Sequence, residues 1–143
     1  MDNPQGMARI RTYLPLGLAV ICIALAVTGD SGREWLRYER GQLLSEPWRL
    51  ITAHLVHLGW SHLLLNLAGL ALVWALVGEY LSARWWLLVL AVSAVAVSGG
   101  LWLFDPALRW YVGLSGVLHG LLVAGALVGL HHRRTEALIL LTL

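Results

Sequence analysis

The sequence predicts an all-α polytopic membrane protein, a single domain over residues 1–143. Three observations carry that expectation. Hydrophobic residues make up 59% of the chain and charged residues 13%, with a mean hydropathy of +0.73, where soluble domains use roughly 25% charged residues. Four uncharged runs of 17 to 21 residues recur along the chain, matching the ~17–25 residues that cross a bilayer as a helix. Trp85, Trp86, Trp102 and Trp110 stand near the ends of those runs, as an aromatic belt at headgroup depth requires.

The first run, Tyr13 to Gly29, comes after Arg9 and Arg11 and lies at the short end of the spanning range. Ala24-Leu25-Ala26 also fits a signal-peptide cleavage site; an uncleaved first span is preferred because further spans come after it. Residues 30–49 then bring four arginines and four acids in among Trp35, Leu36, Tyr38, Leu43, Leu44 and Trp48. That mixture suits an amphipathic loop lying at the membrane interface. The second span reads as Trp60 to Gly78, ended by Glu79 and Arg84, and the third as Trp85 to Phe104. Asp105 to Arg109, with Pro106, reads as a tight turn, and Trp110 to Leu130 as the fourth span. His131 to Glu136 reads as a solvated helix end. Ala137 to Leu143 is too short to cross, so the chain is expected to be an amino-terminal piece of a longer protein, cut inside a fifth helix.

Composition also excludes function classes. All ten basic residues are arginine and the net charge of +2 is dispersed, so no basic patch invites nucleic acid. The single cysteine, Cys22, excludes an internal disulfide and a cysteine metal cluster. The arginines divide evenly between the two sides of the membrane, leaving the positive-inside rule silent on orientation.

Polar residues inside apolar runs need a partner or a cavity, and His62, Asn66, Ser115 and His119 are the ones that stand out. With alternating topology the second and fourth spans start from the same face. A helical rise of ~1.5 Å per residue then puts His62, Asn66 and Ser115 at matching depth. His62 and Asn66 share a helix face through their i, i+4 spacing. A serine that attacks an amide needs a base and donors aimed at the developing oxyanion; His62, Asn66 and the Ser115 N–H could be such donors. The alternative is packing, with His62 and Asn66 hydrogen-bonding across helices and Ser115 one small residue in a glycine seam. Gly116 and Gly120, then Gly125 and Gly129, are small-xxx-small pairs that permit close helix approach. Gly113 and Gly116 could also admit a substrate backbone or a bent, partly irregular segment. His54, His57 and His62 suggest a metal, but spacings of three and five suit one helix face poorly and no carboxylate lies nearby. No metal and no cofactor is expected.

The stretch "WRLITAHLVHLGWSHLLLNLAGLALVWALVGEYL", with "GLSGVLHG" farther along, resembles the rhomboid intramembrane serine proteases over about Trp48 to Leu130. Its parts are Trp48-Arg49, His62-x-x-x-Asn66, Glu79 and the Gly-x-Ser-Gly motif with Gly113, Ser115 and Gly116. The resemblance implies a rhomboid-like helical bundle, about five spans begun here with a sixth beyond. It implies Ser115 as nucleophile, His62 and Asn66 at the oxyanion, and a base histidine on the sixth span, beyond Leu143. The position four after the serine commonly carries an aromatic residue; here it is His119, with Gly120 next. That variant is similar to the rhombosortase branch. The implied substrate is a carboxy-terminal tail of exported proteins, made of a Gly-Gly motif, a transmembrane stretch and a basic cluster. The implied location is the bacterial inner membrane, multi-pass and in contact with lipid, with the site toward the periplasm. His119 is an alternative base, disfavoured because it shares a helix face with Ser115. Two other readings remain: an inactive rhomboid-like protein that binds transmembrane segments, and a helical scaffold or transporter piece.

Overall fold

The computed structural model describes residues 4–130, together with Ile139 and Thr142. The expected fifth helix at 137–143 and the histidines and arginines of 131–134 therefore lie outside the described residues, apart from those two positions.

Helix α1 (Pro4–Val27) is longer than the uncharged run and stops two residues before its end. Thr28 closes it, its hydroxyl donating to the Leu25 carbonyl at 2.6 Å. Gly29 has a φ of +66°, a conformation that costs glycine little, and α2 (Gly29–Leu36) leaves at 117° to the outer part of α1. Leu14, Leu18 and Ala19 pack on the main core, making α1 part of the bundle.

The segment read as an interfacial loop is a folded unit. It contains α2, strand β1 (Tyr38–Glu39), a 3₁₀ turn (Arg40–Gln42) and the one-turn helix α3 (Arg49–Thr52). Leu36, Tyr38 and Leu43 are buried in it, whereas Trp35, Leu44 and Trp48 face outward. Arg49, only 3% exposed, organises the fold-back. Its Nη1 donates to the carbonyls of Glu34 and Arg37, both at 2.8 Å, and its Nε pairs with Glu46 at 2.5 Å.

Helices α4 (Trp60–Val77) and α5 (Ala83–Phe104) are long and apolar enough to cross a membrane, and the bent α1–α2 pair passes the same test together. Helix α6 (Ser115–Gly129) has 15 residues. The fourth uncharged run is therefore not one span-length helix. Its first residues form strand β2 (Trp110–Tyr111), antiparallel to β1 with Tyr38 opposite Tyr111 and Glu39 opposite Trp110. This corrects the helical-rise argument for the depth of Ser115, because the backbone between Trp110 and Ser115 is not helical. Irregular backbone next to membrane helices persists only when the protein satisfies it. Here the Gly113 N–H donates to the Ala53 carbonyl at 3.0 Å and the Arg40 N–H to the Arg109 carbonyl at 2.8 Å.

Arg40 also caps α5. Its Nη1 donates to the carbonyls of Leu101 and Asp105, each at 3.2 Å, and its Nη2 to that of Trp102 at 2.7 Å. A cation at a helix C-terminus satisfies orphan carbonyls and opposes the dipole's negative end. The β1–β2 pair and the end of α5 are thereby held together.

Helix α6 packs against both α4 and α5. Its glycines explain how it comes so close. A Cβ at Gly120 would collide with Ser93 Oγ on α5, and one at Gly125 would collide with Val77 Cβ on α4. Around these contacts Leu70, Val73, Val77, Trp86, Val117 and Leu121 form the buried core.

Candidate active site

Ser115 is the first residue of α6, and its side chain is exposed. The first N–H groups of a helix lack intrahelical acceptors and carry the positive end of its dipole. Among the described residues, neither the Leu114 nor the Ser115 N–H has an acceptor, and the Ser115 hydroxyl makes no hydrogen bond.

The loop before the serine is fixed from beneath. Gly113 has a φ of +117°, and its carbonyl lies 3.2 Å from His54 Nδ1 and accepts from the Tyr111 hydroxyl, also at 3.2 Å. In a trans peptide the carbonyl and the next N–H point opposite ways. Tying the Gly113 carbonyl to His54 thus turns the Leu114 N–H away from His54. His54 is 1% exposed and reaches α5 through Nε2, 3.0 Å from Ser98 Oγ and 3.1 Å from the Ala94 carbonyl. Burial holds its pKa below the usual histidine value, against the opposing effect of the Gly113 and Ala94 carbonyls.

His62 and Asn66 approach from the first two turns of α4. His62 Nδ1 accepts the Leu58 N–H at 3.3 Å, so in the neutral ring the proton sits on Nε2. That edge faces the serine loop: a Cβ at Gly113 would lie 2.8 Å from His62 Cε1 and 2.9 Å from Nε2. Position 113 therefore requires glycine for its backbone angle and also for the room His62 takes. The Asn66 amide donates to the His62 carbonyl at 2.9 Å, and its Oδ1 is buried without a partner among the described residues. His62, Asn66 and Ser115 line one groove of about 360 Å³, whose remaining wall is mostly apolar, including Leu65, Leu72, Leu118 and Leu122.

His119 lines the same groove, but its Nδ1 lies 2.8 Å from the Ser115 backbone carbonyl. A carbonyl only accepts, so Nδ1 carries the proton and Nε2 is the ring's remaining acceptor, which makes no hydrogen bond to the Ser115 hydroxyl. Behind His62, the His57 ring stands edge-on to it, centroids 5.1 Å apart. Burial first, then the neighbouring His62, pushes the His57 pKa down to about 4, with the nearby Leu55 backbone opposing the shift. Among the described residues no three histidine, cysteine or acidic side chains converge on a metal-sized site. Glu79, the remaining motif residue, is exposed in the turn between α4 and α5 and forms no ion pair among the described residues.

In the sequence, His54 stands out only as a weak metal ligand, and Tyr111, Ser98 and Arg40 do not stand out as site residues. The serine at 98 inside an apolar run is the one visible signal, since a polar group there asks for a partner.

Residues 44–142 match the Rhomboid domain family. The chain is similar to "Putative rhomboid protease YdcA" of Bacillus subtilis (strain 168), with 36% identity over 84 residues. That alignment covers 59% of this chain and 42% of the relative, so the chain spans less than half the length of that relative. A family match over more than half of the chain, on a bundle of apolar helices with Ser115 at the head of α6, assigns this multi-pass membrane protein to the rhomboid family.

Proposed function

We propose that the protein is an intramembrane serine endopeptidase of the rhombosortase type. The observation that carries this reading is the convergence of Ser115, His62 and Asn66 on one groove, with His62 Nε2 against the serine loop. Ser115 Oγ adds to the carbonyl carbon of a scissile amide, and the oxyanion takes hydrogen bonds from the Ser115 N–H, His62 Nε2–H and the Asn66 amide. The amine then leaves, and the acyl-enzyme passes its acyl group to water. The proton of Ser115 goes to a histidine beyond Leu143, as family resemblance implies, and from there to the departing amine. His119 is not assigned that role, because it shares a helix face with Ser115 and makes no hydrogen bond to the Ser115 hydroxyl.

The substrate in this reading is the carboxy-terminal sorting tail of exported proteins, a Gly-Gly motif joined to a transmembrane stretch. Its basis is the sequence Gly113-Leu114-Ser115-Gly116 with His119-Gly120. The protein sits in the bacterial inner membrane with its groove toward the periplasm, and residues 30–49 lie at the interface, where Trp35, Leu44 and Trp48 meet headgroups. A second reading, an inactive rhomboid-like protein that binds transmembrane segments, draws on the Ser115 hydroxyl having no base among the described residues.

The test is fluorophosphonate labelling of the intact gene product in native membranes beside its Ser115→Ala variant, with tail cleavage measured in parallel. Labelling and cleavage that both vanish in the variant are expected. Cleavage that persists without Ser115 refutes the protease assignment, and tail binding without labelling selects the second reading.

A further inference from the structure

A second space lies at the bend between α1 and α2. It encloses about 210 Å³ and is lined by Leu25, Ala26, Val56, His57 and Trp60, with Asp30 and Arg33 beside them. The Asp30 side chain is 82% exposed and pairs with Arg33 at 3.0 Å, so the space meets the surface at a charged pair. His57 forms its inner wall. This side chain is 7% exposed, and neither ring nitrogen has a partner among the described residues. A buried polar atom left so forfeits its hydration unless something binds it.

A neutral imidazole needs one acceptor and one donor. Water is the smallest molecule that offers both, and at ~30 Å³ per molecule several fit in a cavity of this size. His57 also touches the site, because its ring meets that of His62 edge to face. One ring lines the cavity and the other lines the groove of Ser115. The pair is thus a polar link between an aqueous surface and a groove whose other walls are mostly apolar.

We propose that this cavity is a hydration site, filled from the Asp30–Arg33 surface, whose water binds His57 and reaches the Ser115 groove past the two histidine rings. The supply role rests on Ser115 being a hydrolytic nucleophile. Deacylation consumes one water: its oxygen bonds to the acyl carbon, the ester bond to Ser115 Oγ breaks, one proton returns to Oγ and the acid leaves with the other. A groove filled by a substrate helix needs a second route for that molecule.

The test separates hydration from catalysis. Cys22 is buried one turn before Ala26 and is the sole thiol of residues 1–143, so the unsubstituted protein sets the background. Val20 on the same helix is exposed and serves as a lipid-facing control. In native membranes a small cationic methanethiosulfonate is expected to modify Ala26→Cys about tenfold faster than either the parent or Val20→Cys. Modification no faster than the parent overturns the proposal. Ala26→Leu then fills the cavity away from Ser115. The expected result is unchanged fluorophosphonate labelling with slower tail turnover and accumulation of acyl-enzyme; unchanged turnover overturns the supply role. Absence of labelling in the unmodified protein defeats the protease reading and the supply with it, whereas the thiol rates alone decide hydration.

Discussion

Gly113→Ala probes the contact on which the site geometry depends, and its cost has two separable parts. The first is torsional: a φ of +117° suits glycine, and a β-carbon there costs about 1–2 kcal/mol. The second is steric. The new methyl would stand 2.8 Å from His62 Cε1, about 0.6 Å short of the 3.4 Å where ordinary contact begins. His62 cannot retreat freely, because its Nδ1 is held by the Leu58 N–H and its other side by the His57 ring. Overpacking of this kind costs ~1–3 kcal/mol, for a total of ~2–5 kcal/mol. The steric part disappears once the imidazole is removed. A double-mutant cycle of Gly113→Ala with His62→Ala, read by reversible unfolding in detergent micelles, is therefore expected to show a coupling of ~1–3 kcal/mol, the pair together losing less than the sum. Fluorophosphonate labelling should fall in Gly113→Ala more than its unfolded fraction explains. Strictly additive energies would refute the reasoning, since they would mean that His62 does not rest against the serine loop.

Other perturbations have equally definite expectations. Arg49→Lys keeps the charge but loses the fork that reaches Glu34, Arg37 and Glu46; a loss of about 2–4 kcal/mol in the same unfolding assay is expected. His54→Phe removes the support beneath Gly113 and the bridge to Ser98 and Ala94. It should cost about 1–3 kcal/mol and slow Ser115 labelling, while Ser98→Ala costs less and leaves labelling nearer normal. The folded-state pKa of His57 lies at about 4, below the ordinary 6.5, so the unfolded chain binds more protons between these values. Its neutral ring contributes stability that is full above about 6.5 and is lost as pH falls toward 4. Unfolding measured across that window should show a slope that His57→Phe reduces; an unchanged slope would mean that His57 protonates as readily in the folded as in the unfolded protein.

The membrane helices were legible because one force writes them. An apolar run long enough to cross has no better way to satisfy its backbone than a helix, and Trp60–Val77 and Ala83–Phe104 lie within two residues of the runs that announced them. The same logic hid the start of α6. Trp110 to Leu114 are as apolar as the helix they lead into, and an uncharged run does not say where extended backbone gives way to helix; only Gly113 hinted at a break. Convergence of His62 and Asn66 was readable from i, i+4 spacing, but their meeting with Ser115 depended on how α4 and α6 pack. His54 was opaque for a related reason. Its spacing from His57 and His62 looked poor for a shared ligand, and its partners, Gly113, Ala94 and Ser98, are distant in sequence. Arg40 and Arg49 read as interfacial charges. Which carbonyls lack partners, and therefore attract a guanidinium, is a property of the folded chain alone.

The pairing of β1 with β2 also sets an order in time. The strands are contributed by Tyr38–Glu39 and Trp110–Tyr111, so the residues up to Tyr111, helices α1, α4 and α5 among them, must be made before the second strand can meet the first. Until then Gly113 has neither the Ala53 carbonyl nor His54 to hold it, and α6 has no fixed first residue. A nascent chain with three apolar segments inserted carries His62 and Asn66 but no organised serine. Ser115 is thus the late arrival in a frame already built. On the proposed reading, a cell making this protein is spared an exposed reactive centre during insertion.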